Sequence, residues 1–522
     1  MDSWRNVLLR VLLTAELALL IATTYFFWHL SSFPAESAST GIETTEWLWV
    51  AALLVPAAGV GMLLQVIPAR WQRPRYLVAL IVIGVLLFGL YLQLSVFSSA
   101  TYAIDRADWF WLLSLLLPVY GVRLLIARRL WTPTPLDIWF VAFLVLGVVS
   151  VNITPEVTGY PSRGFGMLMR PLLGFLWVLH LVELARVYGG VGSVLRLLTG
   201  FSVFFGYYAL SATQWDMTKS AAFSAVIRLL DELPQLDAFG TANPNELGGV
   251  LALLLPVCAG TIYWFYRRRA PLWLATTVVA FIMLLIGLLA GQSRSGLIGV
   301  GLVLPILAAV LIPAGWWRRL AFVGILALVL LEAAVLMNIL PLRFADGQGE
   351  PAAADVGVSN RDVRTTTQRL NFWETAAEMV ADYPLTGVGM NMYRDRQFVR
   401  VDYPIEGTTP YPPHAHNAFV QMAADMGLPG LFVYVMWFAV AGYMLWVCWC
   451  ADAGPTARVA LAAGCGLLAY VVYSMADTIP VWDRSAFVFW LILGTLAAQY
   501  RLVNRSKSCN QETNFVKQGH KL

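Results

Sequence analysis

Charged residues are scarce in this sequence. They make up 13% of its 522 residues, whereas 59% are hydrophobic and the mean hydropathy is +0.68. A soluble domain of this length would carry about twice that share of charge. Apolar runs long enough to cross a bilayer recur from end to end, so we expect the membrane to be the solvent for most of the chain. The net charge of +4 is too small and too scattered to indicate nucleic-acid binding.

Cysteine, histidine and lysine are also rare. The five cysteines show neither the spacing of a disulfide framework nor that of a zinc site. Cys448 and Cys450 are expected on different faces of one helix, and we interpret the cysteines of the apolar runs as small buried residues. No internal repeat and no matched pair of broken spans appears, which argues against the repeat architecture of many transporters.

Apolar runs of about 17–25 residues predict about fourteen membrane spans. The first run is too long for the core of a signal peptide, so we expect an uncleaved span. The predicted spans lie near 7–30, 47–68, 77–97, 109–127, 136–152, 169–187, 194–212, 246–266, 271–290, 296–313, 319–339, 427–449, 458–476 and 485–500.

Arginine clusters at alternate ends of these spans predict their orientation, because positive residues in short loops favour the cytoplasmic side. An even number of spans with both termini in the cytoplasm puts every cluster on that side. The clusters are Arg5 and Arg10, Arg70 to Arg75, Arg128 and Arg129, Arg267 to Arg269, Arg318 and Arg319, and Arg501 to Lys507. Three longer segments, near 153–168, 213–245 and 340–426, are then expected outside.

The largest outer segment, 340–426, is predicted to contain two helices. One starts at Arg369 and ends before Pro384. Apolar residues recur at helical spacing along it, at Leu370, Trp373, Ala377 and Val380. A second, short helix fits His416 to Met426, with Gly427 as its C-cap.

Two of the five histidines, His414 and His416, lie where this segment returns to the membrane. Imidazole can take up a proton near neutral pH, so one interpretation is a general base for an acceptor hydroxyl. The other is a pair of hydrogen-bonding loop residues. No metalloenzyme spacing accompanies them, so we expect neither a metal nor a cofactor.

Several arginines lie on the predicted outer side. Arg294 stands between the ninth and tenth spans, Arg369 opens the loop helix, and Arg170 lies in the sixth span. Guanidinium groups bind phosphate oxygens in pairs, which suits a diphosphate with a lipid tail in the bilayer. The alternative is a solvated, ion-paired surface. Asn243 or Asn245 fits the N-cap of the eighth span, and sequence does not separate capping from substrate contact.

Four stretches give the chain a resemblance to the O-antigen ligase and O-antigen polymerase superfamily of bacterial inner-membrane glycosyltransferases. They are Thr241–Gly248, Ser293–Gly296, Gln368–Gly389 and His414–Leu431, within the region 200–490. Each motif is weak alone, but the four in this order are fairly specific. The resemblance implies an all-α integral membrane protein of about 12–14 transmembrane helices with a large helical periplasmic loop, in a GT-C-like arrangement.

The resemblance also implies an activity. Members transfer glycan from an undecaprenyl-diphosphate-linked donor to an acceptor hydroxyl on the periplasmic face, with inversion and without a metal. By position, Arg294 and Arg369 resemble the arginines that hold the donor diphosphate, and His416 resembles the residue that activates the acceptor, with His414 as the second candidate. Further substrate contacts are expected at Asn245, Asn417 and Arg170.

The acceptor stays open at this point. Lipid A-core (ligation), a growing O-antigen or exopolysaccharide glycan (polymerisation) and a protein hydroxyl (O-oligosaccharyl transfer) are compatible with the same motifs, and ligation is favoured slightly. A lipid-linked glycan flippase is the alternative of another class, and the outer concentration of Arg and His argues against it.

The sequence predicts five units. They are an N-terminal bundle (1–200), a second bundle with the Asn-Pro-Asn and Ser-Arg motifs (201–339), the periplasmic loop (340–426), the C-terminal helices (427–500) and a cytoplasmic tail (501–522).

Overall fold

The part of the chain that the computed structural model describes is mostly helical. It describes residues 2–32, 131–153, 160–213, 243–312, 360–394, 414–451, 454–479 and 483–519, with isolated positions at 119, 123, 227, 229, 230, 232–234, 315, 316, 318–320, 322–324 and 481. No strand occurs in these ranges. The protein is an all-α integral membrane protein, as the sequence predicted.

Eleven long helices occur in the described ranges. In chain order they are α1 (Asp2–Ser32), α2 (Asp137–Ile153), α3 (Tyr160–Val187), α4 (Gly192–Ser211), α5 (Pro244–Arg267), α6 (Pro271–Gly291), α7 (Arg294–Leu311), α8 (Asn360–Asp382), α9 (Ala418–Ala451), α10 (Pro455–Ser474) and α11 (Phe487–Gly519). Short 3-10 turns lie at Met392–Arg394 and Arg484–Ala486. All of the long helices except α8 coincide with predicted spans.

Eight of these helices are long and apolar enough to cross a membrane, and α2 is a shorter apolar helix. The predicted second and third spans lie outside the described residues, as does the polar stretch Asp346–Ser359, and only isolated positions of the predicted fourth and eleventh spans are described. The predicted unit boundaries at 200 and 500 fall within α4 and α11. The division into units stays a prediction.

Local chemistry explains where α5 begins. The Asn243 side chain accepts a hydrogen bond from the Asn245 backbone N–H at 2.8 Å, and Pro244 occupies the first helical position. An asparagine cap followed by proline satisfies a donor that the helix leaves open and presets the backbone angle. The structure therefore selects Asn243, and not Asn245, as the N-cap.

Several helix ends meet at one end of the bundle. Near the C-terminus of α2, the Ser150 hydroxyl donates to the Asp425 carbonyl of α9 at 3.0 Å. The Ser485 hydroxyl, just before α11, donates to Glu246 Oε1 in the first turn of α5 at 2.8 Å. These contacts bring the end of α2 and the starts of α5, α9 and α11 together, and we call this end of the bundle the site face.

The helix α8 and the chain after it form a small core of their own at the site face. Its buried members are Phe372, Ala376, Met379, Val388, Met392, Tyr393, Ala415 and Ala424. The predicted loop helix is therefore present, and it starts at Asn360, before the expected Arg369. Its buried side is not the expected apolar series, since Leu370 is 56% exposed. Both series are apolar at helical spacing, so periodicity did not distinguish them.

Two glycines hold this small core against α9. Helix α9 is broken at Gly427, where φ is 69° and ψ is −177°, so the predicted end of the short helix is present. At Gly387 φ is +67°, and a Cβ there would lie 2.4 Å from the backbone of Asp425. The Leu428 N–H donates to the Pro384 carbonyl at 2.8 Å. Because glycine alone adopts these angles without strain, the close approach depends on both residues.

A buried polar cluster lies within the membrane bundle, away from the site face. His180 of α3 is fully buried, with Nδ1 at 3.4 Å from Glu16 Oε2 of α1. Glu16 also pairs with Arg123. Charged groups inside a bundle are costly unless paired, so this cluster ties α1 to α3. The cysteines behave nearly as expected: Cys258, Cys448 and Cys465 are buried, whereas Cys450 is exposed on the other side of α9.

Candidate active site

A histidine and a carboxylate from distant parts of the chain meet at the site face. His416 lies just before α9, and Asp477 lies between α10 and α11. The distance from His416 Nδ1 to Asp477 Oδ1 is 3.2 Å. The Thr478 backbone N–H also donates to Asp477 Oδ1, at 2.9 Å. This carboxylate can therefore orient the His416 ring through Nδ1, as in other histidine–carboxylate pairs.

The backbone of His416 adopts a conformation that is unusual for a residue with a side chain. Its φ is 52°, in the left-handed region. The His416 N–H donates to His414 Nδ1 at 3.2 Å, which helps to hold this conformation. Strained backbone of this kind is often found at functional sites, where the surrounding contacts determine it.

His414 lies beside His416 and shares the same carboxylate. The two ring centroids are 4.2 Å apart, and His414 Nε2 is 3.8 Å from Asp477 Oδ1. Because His414 Nδ1 accepts the His416 N–H, the proton of a neutral His414 ring lies on Nε2, facing the carboxylate. The structure thus brings both predicted histidines together and gives them different roles towards Asp477.

The surroundings of His414 and Asp477 shift the pKa values of both groups. Burial lowers the pKa of His414 to about 3, and the neighbouring His416 acts in the same direction, while Asp477 opposes both. Burial alone would raise the pKa of Asp477, but its hydrogen bond with His416 and the proximity of two histidines bring it below its ordinary value. At neutral pH the site therefore holds an Asp477 carboxylate and a neutral His414.

Helix α8 packs over the His416 ring. The Phe372 ring stacks on it with centroids 5.8 Å apart and planes 20° apart. The Trp373 indole N–H donates to the Ala415 carbonyl at 3.0 Å, which fixes the histidine segment to α8. Arg369 is one helical turn before Phe372, and residues three apart share a helix face. The structure therefore brings Arg369 to the side of α8 that carries Phe372, and its Nε is buried without a hydrogen bond to the described residues.

The other predicted arginines also lie towards the site face. Arg294 is exposed at the first position of α7, directly after the buried Ser293. Ser293 packs against Gly248 of α5, where a Cβ would lie 2.2 Å from its side chain. Arg170 is partly buried in the first half of α3. The starts of α5 and α7 thus place Arg294 near the Asn243 cap.

Asn417 has a structural role at the start of α9. Its Oδ1 accepts from the backbone N–H groups of Phe419 and Val420 at 3.0 and 3.1 Å, and its amide donates to the Met475 carbonyl at 3.2 Å. The residue caps α9 and links it to the chain before Asp477. Substrate contacts by Asn417, Asn245 and Arg170 stay predictions.

A second layer of polar contacts supports the histidine segment. The Ala415 N–H donates to Gln421 Oε1 at 3.1 Å, and the Gln421 amide donates to the buried Asp425 at 3.3 Å. The Tyr393 backbone N–H donates to the same Asp425 at 2.9 Å. Arg394, next in the chain, pairs with Asp483 at 2.8 Å and joins the loop to the α10–α11 connection. Satisfied buried networks of this kind hold a site rigid.

Comparison with protein families adds to this geometry. Residues 278–435 match the family model described as O-antigen ligase. This match covers less than a third of the 522-residue chain. A comparison with curated proteins finds no match. The match supports the resemblance to the O-antigen ligase and polymerase superfamily. Members of that superfamily are glycosyltransferase-like enzymes that act on lipid-linked glycans and polysaccharides.

The matched segment contains the two histidines, Arg294 and Arg369, but it ends before Asp477. Asp477 was not among the site residues that the sequence predicted. A signal was present, because Asp477 and Asp483 are acidic residues in the short outer connection between the last two predicted spans. Neither is adjacent in sequence to the other site residues, so their proximity required the folded structure.

The same three side chains could hold a metal ion. One ligand atom each from His414, His416 and Asp477 lie within 4.8 Å of one another. Two histidines and one carboxylate form a common set of ligands for transition metals. The contacts described above account for the same arrangement through hydrogen bonds, and metal-independent chemistry stays a prediction.

Proposed function

We propose that the protein is a bacterial inner-membrane glycosyltransferase of the O-antigen ligase type. In this proposal it transfers glycan from an undecaprenyl-diphosphate-linked donor to an acceptor hydroxyl on the periplasmic face, with inversion at the anomeric carbon. The His416–Asp477 pair is the observation that carries the proposal, and His416 lies within the segment that matches the O-antigen ligase family model. Lipid A-core is the proposed acceptor. A growing glycan and a protein are the alternative acceptors, and each of the three would give a different reaction product.

The chemistry requires a base beside the acceptor. With Nδ1 of His416 donating to Asp477, Nε2 carries the lone pair and accepts the proton of the attacking hydroxyl. The hydroxyl oxygen forms a bond to the anomeric carbon as the bond from that carbon to the diphosphate oxygen breaks. The bonding electrons leave with the diphosphate, and the anionic Asp477 stabilises the imidazolium that results.

The departing diphosphate requires positive charge. Arg294 and Arg369 are proposed to bind its oxygens, because guanidinium groups make paired, charge-assisted hydrogen bonds to phosphate. Both are on helices that end at the site face, and Arg369 lies one turn from the Phe372 ring that covers His416. The donor lipid tail would remain in the bilayer beside the apolar helices.

The test uses the purified full-length protein with an undecaprenyl-diphosphate-linked glycan donor and lipid A-core, with products identified by mass spectrometry. His416→Gln is expected to lower turnover by about 10²–10⁴-fold, the usual contribution of a general base. His520→Gln, in the C-terminal tail, is the matched control. Normal turnover by His416→Gln would exclude the proposed base, and donor translocation without a new glycosidic bond would indicate a flippase instead.

The arginines are tested by charge-conserving changes. Arg294→Lys and Arg369→Lys keep the positive charge but lose the paired geometry, so turnover should fall. The control is Arg267→Lys, at the other end of α5, which should leave turnover unchanged.

A chelator such as EDTA should not reduce activity. Loss of activity on chelation, restored by added zinc, would contradict metal-independent transfer.

A further inference from the structure

A polar cavity lies at the other end of the bundle from the His416–Asp477 pair. Its volume is about 340 Å³. It is lined by Thr132, Val182, Arg186, Ala498, Arg501, Leu502, Asn504 and Arg505. Helix α11 begins beside the site face, and a rise of about 1.5 Å per residue places Arg501 roughly 21 Å further along it. The cavity is therefore separated from the candidate active site by most of the membrane-spanning part of α11.

Positive charge dominates the wall of this cavity. Three arginines line it, and none of the lining residues is acidic. Arg501 and Arg505 are four residues apart and so share one face of α11. Asn504 adds an amide between them. Clustered guanidinium groups favour an anion with several oxygens, for which phosphate is the common example.

Behind the cavity, a buried carboxylate holds one of the arginines in place. Arg186 Nε donates to Glu183 Oε2 at 2.7 Å, and the Thr132 hydroxyl donates to Glu183 Oε1. Glu183 is 1% exposed. It offsets the charge of Arg186 and fixes its direction, so Arg501 and Arg505 supply the positive charge that is left for a ligand. Residues of α3 and of the chain before α2 therefore hold this part of the wall in place before a ligand binds.

The remaining wall is apolar. Val182 and Ala498 are buried, and Leu502 is partly buried one turn beyond Ala498. An apolar wall next to arginines fits a molecule with an anionic head and a hydrocarbon chain. Basic pockets between membrane helices recognise lipid head groups in this way. A free phosphate ion would use the arginines and leave the apolar wall without a ligand.

We propose that this cavity binds the phosphate headgroup of an anionic membrane lipid, with the headgroup at Arg501 and Arg505 and an acyl chain along Val182, Ala498 and Leu502. The proposal is independent of the reaction at the site face. Arginines at this end of the spans also agree with the predicted cytoplasmic side, where anionic lipid headgroups attract basic residues. A cytoplasmic location explains why arginines lie at this end of the spans, but it does not explain why three of them line one cavity.

The experiment measures lipid binding to the purified full-length protein in a neutral detergent. Phosphatidylglycerol, phosphatidylcholine and inorganic phosphate are titrated separately, and bound molecules and the unfolding temperature are recorded by native mass spectrometry and thermal unfolding. Phosphatidylglycerol should bind and raise the unfolding temperature more than phosphatidylcholine. The double change Arg501→Gln, Arg505→Gln should weaken that binding by about tenfold or more.

The matched control is the double change Arg267→Gln, Arg319→Gln, which removes two exposed arginines outside the cavity. It should bind phosphatidylglycerol like the unchanged protein. If the cavity double variant does not fold, Arg505→Gln alone is measured, because that side chain is exposed. Equal binding of both lipids, or unchanged binding by the cavity variants, would overturn the proposal. Stabilisation by inorganic phosphate without any lipid preference would assign the cavity to a free anion and overturn the lipid assignment.

Discussion

The tripeptide His414-Ala415-His416 contains two histidines with different surroundings. His416 has a left-handed backbone and donates its N–H to the His414 ring, so each histidine determines the geometry of the other. Asp477 lies within reach of both rings, closer to His416. The partly buried, neutral His414 is suited to positioning, whereas His416 is suited to proton transfer.

Asp477 is expected to act through His416. Asp477→Asn removes the charge that orients the ring and stabilises the imidazolium, so turnover should fall by about 100-fold or more while donor binding is kept. The measurement separates kcat from KM for the donor in the reconstituted assay. Asp382→Asn, at the end of α8, is the control. A variant with unchanged kcat would show that the pair is only structural.

His414 should make the protein less stable in acid. Below a pH of about 6.5 the unfolded chain protonates this histidine, whereas burial lowers its pKa to about 3 in the folded protein. The unfolded state therefore binds more protons in this window, and the free energy of unfolding falls as the pH drops from 6.5 towards 3. The slope from one such group is at most about 1.4 kcal/mol per pH unit.

The measurement is thermal unfolding of the purified protein between pH 7 and pH 5, compared with His414→Gln. The variant cannot titrate at this position, so its unfolding temperature should depend less on pH. His520→Gln serves as the control and should follow the unchanged protein. An identical pH dependence in all three proteins would contradict the assignment.

At the scale of elements, the site depends on the junction between α8 and α9. The chain after α8 donates backbone hydrogen bonds to the end of the short first part of α9, from Val388 to Ala424 at 2.9 Å and from Gly389 to Asp425 at 3.1 Å. The break at Gly427 then lets α9 continue into the membrane. This junction keeps Phe372 over His416, with Arg369 one helical turn before Phe372.

Gly387→Ala should disturb this junction. Its φ of +67° and the 2.4 Å approach to the backbone of α9 leave no room for a Cβ. We expect a loss of about 1–2 kcal/mol or more in stability from the backbone strain alone, with a further loss of turnover as α8 moves. Gly442→Ala, in open surroundings on α9, should be neutral. Thermal unfolding and the transfer assay measure both effects, and a fully active, stable Gly387→Ala would refute this dependence.

At the scale of the whole molecule, the structure has two polar ends joined by apolar helices. The site face carries the histidines, Asp477 and the predicted diphosphate arginines. The opposite end carries Arg186, Arg501 and Arg505 around the polar cavity. Most of the apolar length of α11 separates these ends, so substrates and lipids at the two sites would approach from different membrane surfaces.

Cysteine labelling can test the proposed orientation. In a protein without native cysteines, Glu378→Cys on α8 should react with a membrane-impermeant maleimide in intact spheroplasts, whereas Arg267→Cys at the end of α5 should react only after permeabilisation. Both positions are exposed in the structure. The reverse pattern would place the site face in the cytoplasm and exclude a periplasmic reaction. Labelling of both positions in intact spheroplasts would contradict the span prediction.

Much of the fold could be predicted because hydropathy and caps are local properties. Apolar runs predicted the ten described helices that coincide with spans, and glycine and proline predicted where the short helix before Gly427 ends. The buried side of α8 could not be predicted in the same way. Leu370 and Phe372 are both apolar, and only packing against Ala415 and Ala424 decides that Phe372 is buried.

Of the candidate site, the sequence by itself determined the residue types: two histidines with one residue between them, at the end of a long polar segment, and arginines suited to phosphate. The membrane side of these residues stays a prediction. Their partners were decided by tertiary structure. Asp477 is 61 residues from His416 in the chain, and it reaches the ring only because the start of α9, the end of α10 and the start of α11 lie at the same face. Helical periodicity in a sequence predicts contacts between residues three or four positions apart. The contacts that orient a base are made between helices, and they depend on how whole helices pack.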